Sequence, residues 1–245
     1  MRERDLTGGA DGRFIVEGKV PLEILLTRSR FEVDSLFLSE SRLEPLRDLL
    51  SQCAPDTPIY IAPQALMDEI VGFSIHRGVL ACAKKGSGLS LNAFKDAKRL
   101  LVLNQISNHD NVGAAFRNAA AFGAHGVILD AGSCDPLYRK AIRVSSGASL
   151  WLPYHHGGAG LDHVQTLQAE GFEVWAMTPR QAAESLQSLN VPDKLAILLG
   201  AEGPGLPEAL IEACRAVRIP MKPGFDSVNV ATAGAIALAH VYSAD

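Results

Sequence analysis

No two cysteines in this sequence stand at Cys-x-x-Cys spacing. The four thiols, Cys53, Cys82, Cys134 and Cys214, are scattered through 245 residues. Neither a zinc site nor a dithiol redox centre is written into that pattern, and buried free thiols in a reducing cytoplasm are the expectation. No apolar run approaches the ~20 residues of a membrane helix. The opening Met1-Arg-Glu-Arg-Asp-Leu-Thr-Gly-Gly lacks the apolar core of a secretory leader, so a cytoplasmic protein without a membrane span is expected. An excess of positive charge is missing too. A net charge of −4 at pH 7 argues against a protein that coats nucleic acid, while leaving room for a local basic patch. There is no Walker loop with its Lys-Ser/Thr, and no Gly-x-Gly-x-x-Gly at a first strand–helix turn, which argues against a nicotinamide cofactor. Internal repeats and low-complexity tracts are absent as well.

What is present is a globular composition, 47% hydrophobic and 20% charged, long enough for one large or two ordinary domains. Between Arg13 and about Lys85 short strands alternate with helices. Phe14-Ile-Val, Ser35-Leu-Phe-Leu, Ile59-Tyr-Ile-Ala and Gly78-Val-Leu-Ala-Cys-Ala read as strands. Helices are expected around Pro21 to Leu26, through Leu43, Leu46, Leu49 and Leu50 at helical spacing, and after Pro63, which suits a first helical turn. Residues 1–85 are therefore expected to form a small α/β domain. Lys84-Lys-Gly-Ser-Gly-Leu-Ser is a linker by composition, and with a short helix over Leu91 to Lys98 it makes residues 86–98 a connection. From Arg99 the alternation is stronger. Leu100–Leu103, Gly126–Leu129, Trp151–Pro153, Phe172–Met177, Leu195–Leu199 and Ala216–Ile219 read as strands, with helices over Val112–Phe122, Leu161–Glu170 and Leu206–Cys214. Near-continuous apolar strands between helices predict a parallel sheet covered on both faces over residues 99–245.

In such sheets ligands bind beyond the carboxyl ends of the strands, and three strand ends carry unusual residues. After the first come Asn108-His-Asp-Asn111-Val-Gly113-Ala-Ala-Phe-Arg117. Asn111 can cap the helix that follows, and Gly113 lets a partner approach its first turn. Arg117 is the only charge among Ala114, Ala115, Ala119, Ala120 and Ala121, an arrangement that suits phosphate recognition. The second strand end is Leu199-Gly-Ala-Glu202-Gly-Pro-Gly-Leu, whose three glycines around Glu202 permit a tight loop with exposed N–H groups. At the third, Ile219-Pro-Met-Lys-Pro-Gly-Phe-Asp-Ser227-Val-Asn229-Val, two prolines stop regular structure before an alanine-rich helix. The helix's small side chains (Ala231, Ala233, Gly234, Ala235, Ala237, Ala239) imply that another backbone passes close to it.

Together and in this order, the three segments resemble the SpoU/TrmH-type RNA 2′-O-ribose methyltransferases of the SPOUT superfamily, over the whole of Arg99–Asp245. Ala121-Phe-Gly-Ala-His-Gly-Val-Ile-Leu and Val144-Ser-Ser-Gly-Ala add to the likeness. The family usually has Asp-Pro where this chain has Asn108-His109, which removes a proline's rigidity, and Leu where it has Val228. Val16-Glu-Gly-Lys and His76-Arg-Gly-Val-Leu-Ala make the N-terminal module similar to the L30e-like substrate-binding domain that often precedes this catalytic domain.

The resemblance implies a parallel-sheet domain with a deep trefoil knot, S-adenosylmethionine as cofactor, no metal, and a homodimer whose active site combines both subunits. It places Leu199, Gly200, Ile219, Met221, Val228 and Asn229 around the cofactor. It makes Arg117, Asn111, Glu202, Ser227 and Asn229 the catalytic group, with Asn111 holding Arg117 or the ribose and Glu202 organising its loop. RNA contacts are expected from Arg28, Arg30, Arg77, Lys84 and Lys85, with shape and phosphate dominating as they do for structured RNA. Ribosomal RNA is favoured over transfer RNA by family habit. Two other readings stay open on the sequence: a SPOUT protein that binds RNA without catalysis, and a SPOUT enzyme that methylates a base.

Overall fold

The apolar runs of the N-terminal part become the strands of a single sheet. A computed structural model describes residues 12–71, 78–225 and 227–244. β1 (Arg13–Glu17) alternates half-buried with buried positions, so Phe14 and Val16 face the core. After Gly18, at φ +96° where a side chain would be strained, helix α1 (Lys19–Thr27) buries Pro21, Leu22 and Leu25. β2 (Val33–Ser39), β3 (Ile59–Ala62), helix α2 (Gln64–Val71) and β4 (Val79–Lys84) follow. The four strands lie in the order β1-β4-β2-β3, antiparallel except for the β2–β3 pair. The leucine stretch between β2 and β3 is not the single amphipathic helix its spacing predicts. It breaks into three short turns, Glu40–Leu43, Glu44–Leu46 and Arg47–Leu50, because Pro45 interrupts the hydrogen-bond ladder.

This compact unit, which runs to Ser87, also takes in Leu137–Trp151 from much later in the chain. A helix at Arg139–Val144 and a single turn at Ala148–Trp151 form there. Arg139 pairs with Glu17 at 3.3 Å, and the Arg28 guanidinium lies 4.2 Å from the centre of the Trp151 ring. Gly147 (φ +81°) is pressed against Ile24, whose Cδ1 would be 2.7 Å from an added Cβ. Trp151 is therefore not strand, contrary to the sequence reading. The strand starts beyond Pro153, which lacks an N–H for a sheet ladder.

The second unit holds Gly88–Pro136 and Leu152–Asp245. A short 3-10 helix at Leu91–Phe94 precedes β5 (Arg99–Leu103), helix α3 (His109–Ala121), β6 (Gly126–Leu129) and β7 (Tyr154–His156). Then come α4 (Gly160–Ala169), β8 (Glu173–Met177), β9 (Glu184–Ser185), β10 (Leu195–Leu199), α5 (Glu208–Glu212), β11 (Arg215–Arg218) and α6 (Val230–Tyr242). All seven strands are parallel, in the order β7-β6-β5-β10-β8-β11-β9. One face of the sheet, with Leu100, Val102, Val174, Ala196 and Leu198, packs on Phe94, Val164, Leu167 and Leu210. Leu199, alternating to the other face, meets α6: its Cδ1 would be 2.8 Å from a Cβ at Gly234. The neighbour that requires smallness at Gly234 is thus a leucine methyl, not the passing backbone expected there. Helix α6 also packs on α3, where Asn118 Nδ2 donates to the Ala231 carbonyl at 2.9 Å.

All four cysteines are free and partly exposed rather than buried. Partial burial still pushes each thiol up, that of Cys214 to about 11. Among the described residues, no helix is long and apolar enough to cross a membrane.

Candidate active site

Beyond the carboxyl ends of β8, β10 and β11, three loops enclose a cavity of about 350 Å³. Leu199, Gly200, Ile219, Met221, Val228 and Asn229, named above for the cofactor, all line it, and so do Glu202 and Ser227. Sequence reasoning missed the third wall, Met177-Thr178-Pro179, at the end of β8. The signal was available: a fourth strand end followed by a Thr-Pro step, in the middle of a sheet where neighbouring strand ends carry the motifs.

The glycine loop is shaped by backbone contacts. Gly205 N donates to the Ala201 carbonyl at 3.0 Å, while Gly203 and Gly205 hold φ values of +85° and +71°. A Cβ at Gly200 would come 2.5 Å from Leu206 N and 2.6 Å from Gly205 C, and backbone atoms cannot give way as a flexible side chain can. The loop therefore turns back on itself and leaves Glu202 at the rim.

Asn229 ties the loops together. Its Oδ1 accepts from Ala231 N (2.9 Å) and Thr232 N (3.3 Å), capping α6. Those two donors fix which way the amide points, so Nδ2 faces outward. It donates to Asn111 Oδ1 at 3.0 Å and to Glu202 Oε1 at 2.9 Å. Residues from three distant segments thus meet on one side chain. Asn111 does not cap α3 as the sequence reading had it. That role falls to Asn108, whose Oδ1 accepts from Asp110 N at 2.9 Å. Asn111 sits inside the first turn, 6% exposed, and its Nδ2 is buried with no partner among the described residues.

Arg117 stands apart. Six positions after Asn111, it projects roughly two-thirds of a turn round the helix. It is exposed, without an ion pair or hydrogen bond among the described residues, and does not line the cavity. The N-terminal cations are mostly engaged. Arg28 lies on Trp151, Arg30 lies over Phe31 and donates to the Ser87 carbonyl, and Lys84 pairs with Glu32 at 2.6 Å. Lys85 is half-buried, and Arg77 falls outside the described residues. No cluster of His, Cys, Asp and Glu among the described residues could hold a metal ion.

Comparison with known proteins identifies the family. Residues 98–239 match the model of the SpoU rRNA Methylase family. A protein of Mycobacterium tuberculosis strain H37Rv, named an uncharacterized tRNA/rRNA methyltransferase, is 38% identical over 229 residues, covering 91% of this chain and 78% of that one. The 23S rRNA (guanosine-2′-O-)-methyltransferase RlmB of Shewanella oneidensis is 31% identical over 234 residues, covering 91% and 94%. Among solved structures, the SpoU methyltransferase AviRb from Streptomyces viridochromogenes, in complex with the cofactor AdoMet, superposes with a TM-score of 0.81. That match spans 98% of this chain and 95% of the other at 22% identity, a likeness of fold. With motifs, cavity and sequence relatives in agreement, the chain belongs to the SpoU rRNA methylase family.

Proposed function

We propose that this protein is an S-adenosylmethionine-dependent methyltransferase acting on a ribose 2′-oxygen of RNA, and that the RNA is ribosomal. The observation that carries the reading is the Asn111–Asn229–Glu202 linkage at the edge of the cavity. It joins the three segments whose residues resemble the ribose-methylating motifs. RlmB relatives, named for guanosine 2′-O-methylation of 23S rRNA and alignable over nearly the whole chain, support the choice of ribose and of rRNA.

The residues present fit the cofactor. Leu199, Ile219, Met221 and Val228 offer an apolar slot for adenine, and the backbone groups of the Gly200–Gly205 loop offer its hydrogen bonds. Bound there, the cofactor supplies a methyl group carried on a sulfonium. Glu202 and Asn229 hold the loops in register around that slot. Asn111, with Oδ1 taken by Asn229, has its Nδ2 left to donate to a ribose oxygen. An arginine has no acceptor, so the ribose rather than Arg117 is the group this donor serves.

Arg117 presents a planar guanidinium with several N–H donors and no acceptor. Its part is to hold the phosphate beside the target and to stabilise negative charge growing on the 2′-oxygen. Because it lies outside its own chain's cavity, we place it in the site of a second copy, in a homodimer whose subunits complete each other. The trefoil knot belongs to the same proposal: β11, the last strand in sequence, lies between β8 and β9 rather than at an edge. The N-terminal unit acts as an L30e-like RNA-binding module, and the protein works in the cytoplasm, where its RNA is.

Replacing Arg117 with alanine should abolish transfer of tritiated methyl to rRNA while leaving S-adenosylmethionine binding nearly intact by calorimetry. Retained turnover would overturn the role of Arg117. Nuclease digestion and mass spectrometry of the product should give a 2′-O-methyl nucleoside; a methylated base would overturn the ribose assignment.

A further inference from the structure

Beside the cofactor cavity lies a second hollow of about 250 Å³, which shares Pro179, Ile219 and Met221 with it. The rest of its lining has a different chemistry: Arg218, Lys222 and Phe225, with Gln181. Phe225 is 71% exposed. It is held out by a closed turn, in which its N–H donates to the Lys222 carbonyl at 3.2 Å and Gly224 takes φ +86°. Arg218 is anchored by Nε, which donates to the Ala183 carbonyl at 3.1 Å. Its remaining N–H groups, and Lys222 Nζ, meet no carboxylate among the described residues. An exposed phenyl ring next to two uncompensated cations is poor chemistry for an apolar ligand. It suits a nucleotide, whose base stacks on an aromatic face while its phosphodiester sits between cations.

We propose that this hollow is a subsite for a nucleotide flanking the methylated one, with its base on Phe225 and its phosphate between Arg218 and Lys222. The inference rests on reading the adjoining cavity as the cofactor site of an RNA-modifying enzyme, and its test is chosen to fail separately. Binding of a fluorescent single-stranded oligoribonucleotide to the full-length protein, read by anisotropy, needs no turnover. Phe225→Ala should weaken that binding roughly ten-fold, and Phe225→Trp should restore it. Lys222→Ala should lower the slope of log affinity against log salt by about 0.7, the share of one single-strand phosphate. In a protein that methylates RNA, the KM for rRNA should rise in Phe225→Ala with kcat and cofactor affinity unchanged. Undiminished oligoribonucleotide binding by Phe225→Ala would overturn the subsite. So would a parallel loss of S-adenosylmethionine binding in Arg218→Ala and Lys222→Ala, which would assign the cations to the cofactor's carboxylate.

Discussion

Leu195–Leu199 and Ile59–Ala62 are both unbroken apolar strands, and each belongs to a different unit of this protein. In the seven-stranded unit β10 lies between β5 and β8 with all five residues buried. In the four-stranded unit β3 sits at the sheet edge, where Ile59, Tyr60 and Ile61 are 37%, 59% and 47% exposed. Hydrophobicity alone therefore marks a strand without saying how deep it lies. Depth comes from the order of strands, and that order is fixed by connections between residues far apart in sequence.

The sharpest way to break this contrast is to remove the same side chain from both strands. Ile197→Ala, deep in β10, should destabilise the protein by about 2–5 kcal/mol, read as a fall in the urea midpoint. Ile61→Ala on the edge strand should stay within about 0.5 kcal/mol of wild type; equal losses would mean that the edge is covered. A smaller difference is expected between two polar contacts. Asn229→Ala loses a helix cap, about 1 kcal/mol, and also the link to Glu202 and Asn111, so methyl transfer should fall with it. Arg47→Ala in the other unit breaks only an exposed pair with Glu44 and should leave the midpoint unchanged. The smallest effect is a titration. His163, 1% exposed, is pushed below its ordinary value of 6.5 by burial and then by its neighbour His155. The unfolded chain thus binds a proton that the folded one resists. Stability should be level above pH 6.5 and fall as pH drops from there through the lowered value. His163→Phe should flatten that acid slope, measured as the urea midpoint against pH.

Much of the seven-stranded unit was legible because its strands are buried on both faces and so read as continuous apolar runs. Gly126–Leu129 and Leu195–Leu199 lie where the sequence put them. The two-residue β9 carries too little pattern to see, and β7, with two histidines in three residues, carries a misleading one. In the candidate site, the residues gathered at the cavity came from strand ends that announce themselves with glycine and proline. The Met177–Pro179 wall carried a fainter signal, a Thr-Pro step without glycine, whose meaning emerges only when its strand is placed beside β10 and β11. The hydrogen bonds of Asn229 were likewise invisible, because a cap can be read from one helix but a hub needs three segments in space. Arg28 shows the opposite limit: its charge suggested a phosphate, and only the fold reveals an indole beneath it.

The inclusion of Leu137–Trp151 in the N-terminal unit has a practical consequence for anyone dissecting this protein. A cut in the linker would look clean on paper, since composition changes there and the family match begins at residue 98. The N-terminal fragment would nonetheless lack the indole under Arg28, the arginine beside Glu17 and the glycine against Ile24. The C-terminal fragment would carry an orphaned excursion with Ala141, Ile142 and Leu150, all buried in the intact chain, turned toward water. Each piece on its own is then a candidate for aggregation, so RNA binding by the N-terminal unit is best assayed through point variants of the whole protein.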